Sequence, residues 1–223
     1  MSRKIIVIAP HPDDETLGCG GTLLRHVSEG DEVNWLIATE MQKAVGFSDE
    51  QIKQRMDQIQ EVANYYGFKN VFNLPFPTTR LDTIPFGDIV QAISDIFVIA
   101  QPEIIYLPYR GDVHTDHRIV FDAAISCTKC FRHSYVKRIL AYETLSETDF
   151  GVNPDNNGFR PNVYINIQEL VEQKIEVMKL YSAEMGNFPF PRSEIAITSL
   201  AKLRGVAAGS EAAEAFMLIK EIL

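Results

Sequence analysis

Basic residues are in short supply. The 21 Lys and Arg stand against 30 Asp and Glu, a net charge of −9 with His neutral. That balance excludes general binding to nucleic acid or to an acidic membrane surface, both of which need a basic face. No apolar run approaches the roughly 18 residues of a membrane span, so no membrane insertion is expected. The opening MSRKIIVIAP has too short an apolar run for a signal peptide, and it leads into HPDDE rather than a small-residue cleavage site. Cysteine is scarce too. Cys19, Cys127 and Cys130, an odd and low number, exclude a disulfide framework and fit a reducing compartment, so the cytoplasm is the expected location. Repeats, linkers and low-complexity segments are missing as well. The 223 residues are therefore expected to form one domain, 1–223.

What the chain does have is alternation. Continuously apolar segments at 4–10, 32–39, 70–76, 103–109 and 137–144 read as strands. Helix-patterned segments separate them. One ends at Gly30. A second opens at Ser48, near a capping-box arrangement, and stops at Gly67. A third spans 86–101 before Pro102, and a fourth runs from HTDHR through 132. Apolar strands alternating with helices imply an α/β fold: a Rossmann-like three-layer sandwich, with a mostly parallel central sheet and helices on both faces. Beyond lie a long loop at 146–162, a strand at 163–167 and an amphipathic helix at 168–185. The tail 194–223 reads as helical with a glycine break at 205–209.

In such a fold the active site lies beyond the carboxyl ends of the strands. Two polar clusters fall there. The first, after the first strand, holds His11, Asp13, Asp14 and Glu15. Acids at a helix start complement the helix dipole and cap free amides, which accounts for one or two carboxylates. It does not account for a histidine between Pro10 and Pro12, whose rings fix the backbone on either side. The second cluster, after the fourth strand, holds His114, Asp116 and His117. Alone it would pass for a solvated loop. The chain has only five histidines, however, and three of them fall in these two loops on one edge of the sheet. Imidazole and carboxylate together suit zinc or another first-row divalent ion.

PHPDDETLGCGGTL together with HTDHR resembles the LmbE-like, or PIG-L, family of zinc-dependent N-acetylglucosaminide de-N-acetylases. ETLSETDFG, PNVYINI, PRS and RGVAAG extend the likeness, in order, over most of the chain. The resemblance implies that His11, Asp14 and His117 hold Zn²⁺, with Fe²⁺ or Co²⁺ as alternatives. It implies Asp13 as the general base toward the attacking water. His114 would be an imidazolium that stabilises the oxyanion or protonates the leaving amine, and Asp116 would orient and charge a neighbouring histidine. It also implies arginines that hold the aglycone or a carboxylate of a small amino-sugar conjugate. Arg55, Arg110 and Arg160 are the candidates, Arg192 in PRS a weaker one. Relatives of this kind often assemble, so a homo-oligomer, trimer or hexamer, is expected. Amide hydrolysis is consistent with these residues: it needs an activated water, a site for the oxyanion and an acid for the amine.

Other features read more plainly. CTKC at 127–130 has no second pair to complete a zinc site and reads as buried small residues. The glycines around Cys19 lack G-x-G-x-x-G spacing and read as close packing of the first helix on the sheet. Glu15 reads as a first-turn residue with a structural or substrate-hydroxyl role, and His26 and His133 as surface or packing residues. The competing functions are an amidase on another N-acylated small molecule, a Rossmann-type sugar-phosphate or nucleotide-binding protein, and a metal binder without turnover. The missing glycine fingerprint counts against the nucleotide reading. Asp13 and His114, which a mere binder does not need, count against the last.

Overall fold

A computed structural model describes residues 2–152 and 158–223. Part of the expected loop at 146–162 lies outside the described residues. The elements run β1 Lys4–Ala9, α1 Asp14–Ser28, β2 Glu32–Ile37, α2 Asp49–Tyr66, β3 Asn70–Asn73, α3 Phe86–Ala100 and β4 Ile104–Pro108. They continue with α4 Thr115–Ser126, β5 Arg138–Tyr142, β6 Val163–Asn166, α5 Val171–Leu180, α6 Glu194–Ala208 and β7 Ala213–Glu221. The sheet order is β3-β2-β1-β4-β5-β7-β6. The first five strands pair in parallel, and β7 runs antiparallel between β5 and β6.

Both faces of the sheet are buried, so its central strands are apolar throughout. Along β1, Ile5, Val7 and Ala9 enter one core with Leu17 and Leu23 of α1, Val62 and Tyr66 of α2, and Met178 of α5. Ile6 and Ile8 enter the other with Ile93 and Phe97 of α3 and Val120 and Ala124 of α4. The three-layer expectation is met. Helix ends follow local chemistry. Ser48 and Gln51 exchange side-chain and backbone hydrogen bonds at the start of α2, and Gly67 ends it in the left-handed region at φ 74°.

The tail departs from expectation. Only Glu194–Ala208 is helical, and the stretch after Gly209 is strand β7. Its apolar run fits helix and strand alike by period. The open edges of β5 and β6 decide, because each finds its hydrogen-bond partner in β7. Helix α4 also stops early, at Ser126. Cys127 is buried as expected, whereas Cys130 is exposed.

β1 is flanked by β2, to which it leads through α1, and by β4, which comes much later in the chain. That reversal is the topological switch point, where the loops leaving β1 and β4 diverge and open a crevice. His11 to Asp14 leave β1 there, and Asp112 to His117 leave β4.

Candidate active site

The turn after β1 is stiff and strained. Asp14 Oδ2 accepts the His11 backbone N–H at 2.9 Å, closing the turn around Pro12. Asp13 occupies the N-cap position of α1 at φ 134°, a backbone conformation unusual for anything but glycine. Its side chain makes no capping hydrogen bond, so the bland helix-start explanation fails for this carboxylate. It is only 4 % exposed and lines a cavity of about 290 Å³. Glu15 does serve structure: fully buried, it accepts from Asp13 N–H, Thr16 Oγ1 and Tyr181 Oη. Burial raises its pKa to about 7.

The two loops meet at one point. A ligand atom each from His11, Asp14 and His117 lies within 4.8 Å of the others. His117 Nδ1 is 2.8 Å from Asp112 Oδ2, and Asp112 Oδ1 in turn accepts the Thr148 hydroxyl at 2.6 Å. In the neutral ring the proton therefore belongs on Nδ1, and Nε2 carries the lone pair. That nitrogen lies 3.3 Å from Asp14 Oδ2 but off the line of a hydrogen bond; it is buried without a hydrogen-bond partner. His11 mirrors it. Its Nε2 is 3.2 Å from Asp116 Oδ2, while Nδ1 faces Asp14 Oδ2 at 3.4 Å. Each imidazole thus has a carboxylate behind it and turns its other nitrogen toward Asp14, the arrangement that orients histidine ligands at metal centres. An orphaned buried nitrogen, a second imidazole nitrogen and a carboxylate facing one point fit a divalent cation.

With no ion present, the carboxylates draw protons onto both imidazoles. Burial works to lower the His11 pKa, but hydrogen bonds to Asp116 and Asp14 outweigh it and raise it to about 9. Burial works to raise the Asp14 pKa, and His117 and His11 overcome it and lower it. Burial likewise works to lower the His117 pKa, and Asp14 and Asp112 raise it well above the ordinary range, so a cation binding here competes with protons on both rings. Asp13 goes the opposite way from Asp14. Burial, then Asp14 and Glu184, raise its pKa well above the ordinary range, and Arg192 Nη1 at 3.6 Å offsets only part of this.

His114 differs in detail from expectation. His114 Nδ1 accepts the Asp116 backbone N–H at 3.1 Å, so the ring caps α4 and its proton sits on Nε2. Burial and the nearby His11 lower its pKa to about 4. A neutral imidazole replaces the imidazolium expected there. The Asp116 carboxylate, fully buried, accepts the backbone N–H groups of Thr79 and Leu81 and lies 3.2 Å from His11 Nε2.

The arginines scatter. Arg55 lines the cavity, but its guanidinium donates to the Pro12 carbonyl at 2.9 Å and to Glu184. Those two bonds brace the β1 turn. Arg110 lies outside that cavity and pairs with Asp122 at 2.6 Å on the surface. Arg160 shares a separate hollow with Arg110. Arg192, the weaker candidate, is the one beside Asp13; it also donates to the Glu184 carbonyl at 2.9 Å. Sequence reasoning passed over Asp112, Glu147 and Glu184. Asp112 sits five residues before His117 in the loop after β4, but nothing in that spacing shows which side chain backs which imidazole. His26, between Asp31 and Tyr106, and His133, beside Tyr135, are buried packing residues.

Fold and site together define a doubly wound α/β protein with two imidazoles and a carboxylate gathered at its switch point. A family model described as PIG-L, GlcNAc-PI de-N-acetylase, matches residues 6–128, more than half of the chain. The chain belongs to the PIG-L family. It is 23% identical to the diacetylchitobiose deacetylase of Thermococcus kodakarensis over 99% of this chain and 84% of that protein. It is 20% identical to a probable N-acetyl-alpha-D-glucosaminyl L-malate deacetylase 2 of Bacillus anthracis, over 82% of this chain and 81% of that one. Among solved structures, N,N'-diacetylchitobiose deacetylase from Pyrococcus horikoshii superposes with a TM-score of 0.77 at 21% identity, covering 98% of this chain and 84% of that one. No helix among the described residues is long and apolar enough to cross a membrane.

Proposed function

We propose that the chain hydrolyses the acetamide of an N-acetylglucosamine-type sugar or conjugate, using one divalent ion held by His11, Asp14 and His117. Zinc is the first choice, iron(II) or cobalt(II) the alternatives. The observation that carries this reading is the convergence of those three side chains beside Asp13, a buried carboxylate with no capping role. Family membership and the deacetylase names of the relatives support it. Those names share an acetylated amino sugar and differ in what is attached to it.

A bound divalent ion supplies a Lewis acid and lowers the pKa of water to about 7. The chain's residues do the rest. Asp13 takes the proton from the attacking water; burial and neighbouring carboxylates make it a stronger base than a surface aspartate. The Nε2–H of neutral His114 donates to the oxygen that becomes negative as the carbonyl is attacked. Asp13 then returns its proton to the leaving amine, which departs as a neutral group. Asp112 and Asp116 hold the two ligating imidazoles in position.

The test is release of free amine from diacetylchitobiose and other N-acetylglucosamine conjugates, with zinc-loaded and iron(II)-loaded protein side by side. Amine release that disappears on chelation is expected. Failure of both metal forms on every acetamide sugar would overturn the reading.

A further inference from the structure

One wall of the cavity takes no part in the chemistry above. Met41, Phe47, Ile52, Met56 and Ile59 line the same cavity as His11, Asp13 and His114. Ile52, Met56 and Ile59 follow helical spacing and share one face of α2. Further along that face Val62 and Tyr66 are buried in the core, with Ile59 packed against it. The apolar stripe that anchors α2 to the sheet therefore runs on past the anchored part and into the cavity. Met41, Phe47, Ile52 and Met56 belong to none of the three cores, and Met56 is 65% exposed. Apolar side chains that stabilise no core and border a reactive cavity are the usual means of gripping an apolar ligand group.

We propose that the substrate carries an apolar aglycone, an aryl or alkyl group joined to the N-acetylated amino sugar, and that Phe47, Ile52 and Met56 select it. This rests on the deacetylase reading above. An aglycone is favoured over a longer acyl group because the relatives' names keep the acetyl group and vary its partner. The reaction is unchanged: water adds to the amide carbon, the C–N bond breaks, and acetate and the free amine leave. The wall acts on binding, not on proton transfer.

The experiment compares kcat/KM for the methyl, phenyl and octyl glycosides of N-acetylglucosamine and for methyl N-hexanoylglucosaminide, using the metal-loaded full chain. The phenyl and octyl glycosides should exceed the methyl glycoside by about 10-fold or more, the scale on which apolar pockets discriminate. In Met56→Gln and Phe47→Ser that ratio should fall below about 3, mainly through KM, and Met56→Leu should restore it. Calorimetry on Asp13→Asn protein should show the same order of affinity without turnover. A parent ratio near one overturns the inference while leaving N-deacetylation standing, and so does a ratio that survives both polar variants. Faster turnover of the hexanoyl compound than of the phenyl glycoside overturns it as well. No amine from any compound overturns both readings.

Discussion

Asp13 combines two costs that a purely structural residue would avoid. Its backbone sits at φ 134°, and its carboxylate is buried among like charges. A non-glycine residue in such a conformation stores about 1–3 kcal/mol. Asp13→Gly removes both costs, so it should stabilise the fold by about 1 kcal/mol in chemical denaturation while lowering kcat by roughly 10²–10⁴, the usual worth of a general base. A variant that loses stability along with activity would show that Asp13 supports the turn. Asp112 offers a separate test at the same scale. Its hydrogen bond fixes the His117 proton on Nδ1 and leaves Nε2 free to ligate. Asp112→Asn is expected to weaken zinc affinity about 10- to 100-fold in chelator competition. Unchanged affinity would reduce Asp112 to a packing residue.

At the scale of elements, helix α1 shows how the fold holds the first cluster. Its backbone breaks at Cys19 (φ −145°, ψ 23°), and the break leaves amides and a carbonyl without helical partners. Glu214 of β7 accepts from Gly21 N–H at 2.9 Å and Thr22 N–H at 2.7 Å. Lys174 of α5 donates to the Leu17 carbonyl at 2.9 Å and to Glu214 at 2.7 Å. A Cβ on Gly18 would come within 2.1 Å of the Tyr142 ring, so the first half of α1 lies hard against β5. Lys174→Met should destabilise the protein by about 3–5 kcal/mol, because it leaves a buried carboxylate unpaired. The double variant with Glu214→Gln should recover part of that loss in denaturant titrations. An additive loss would mean that the ion pair carries no coupling. The packing of α1 was legible in its small residues. The ion pair was not, since Lys174 and Glu214 sit in segments read as an amphipathic helix and a helical tail, with no signal joining them across 40 residues.

For the molecule as a whole, the parallel half of the sheet could be read because each of its strands is buried on both faces and apolar throughout. The antiparallel edge could not, because β7 owes its form to the open edges of β5 and β6. The site divides similarly. The two polar loops that bring His11, Asp14 and His117 together were legible because both follow apolar strands on one sheet edge; their role as ion ligands came only from the family resemblance. The arginines were not, since a long side chain reaches in many directions and the fold alone decides which way Arg55, Arg110 and Arg192 turn. The ligand candidates come from two segments far apart in the chain, so an ion bound between them would tie β1 and α1 to α4 and favour the folded state. Ligand held at 100 times its dissociation constant adds about 2.7 kcal/mol, or roughly 5–10 °C in Tm for a chain of this size. Zinc should therefore raise Tm by about that much, and a chelator should reverse it. Lowering the pH should weaken the effect, because protons compete for both imidazoles. His117→Ala should abolish the zinc-dependent shift while Arg110→Ala leaves it intact, and an equal shift in His117→Ala would place the ion elsewhere.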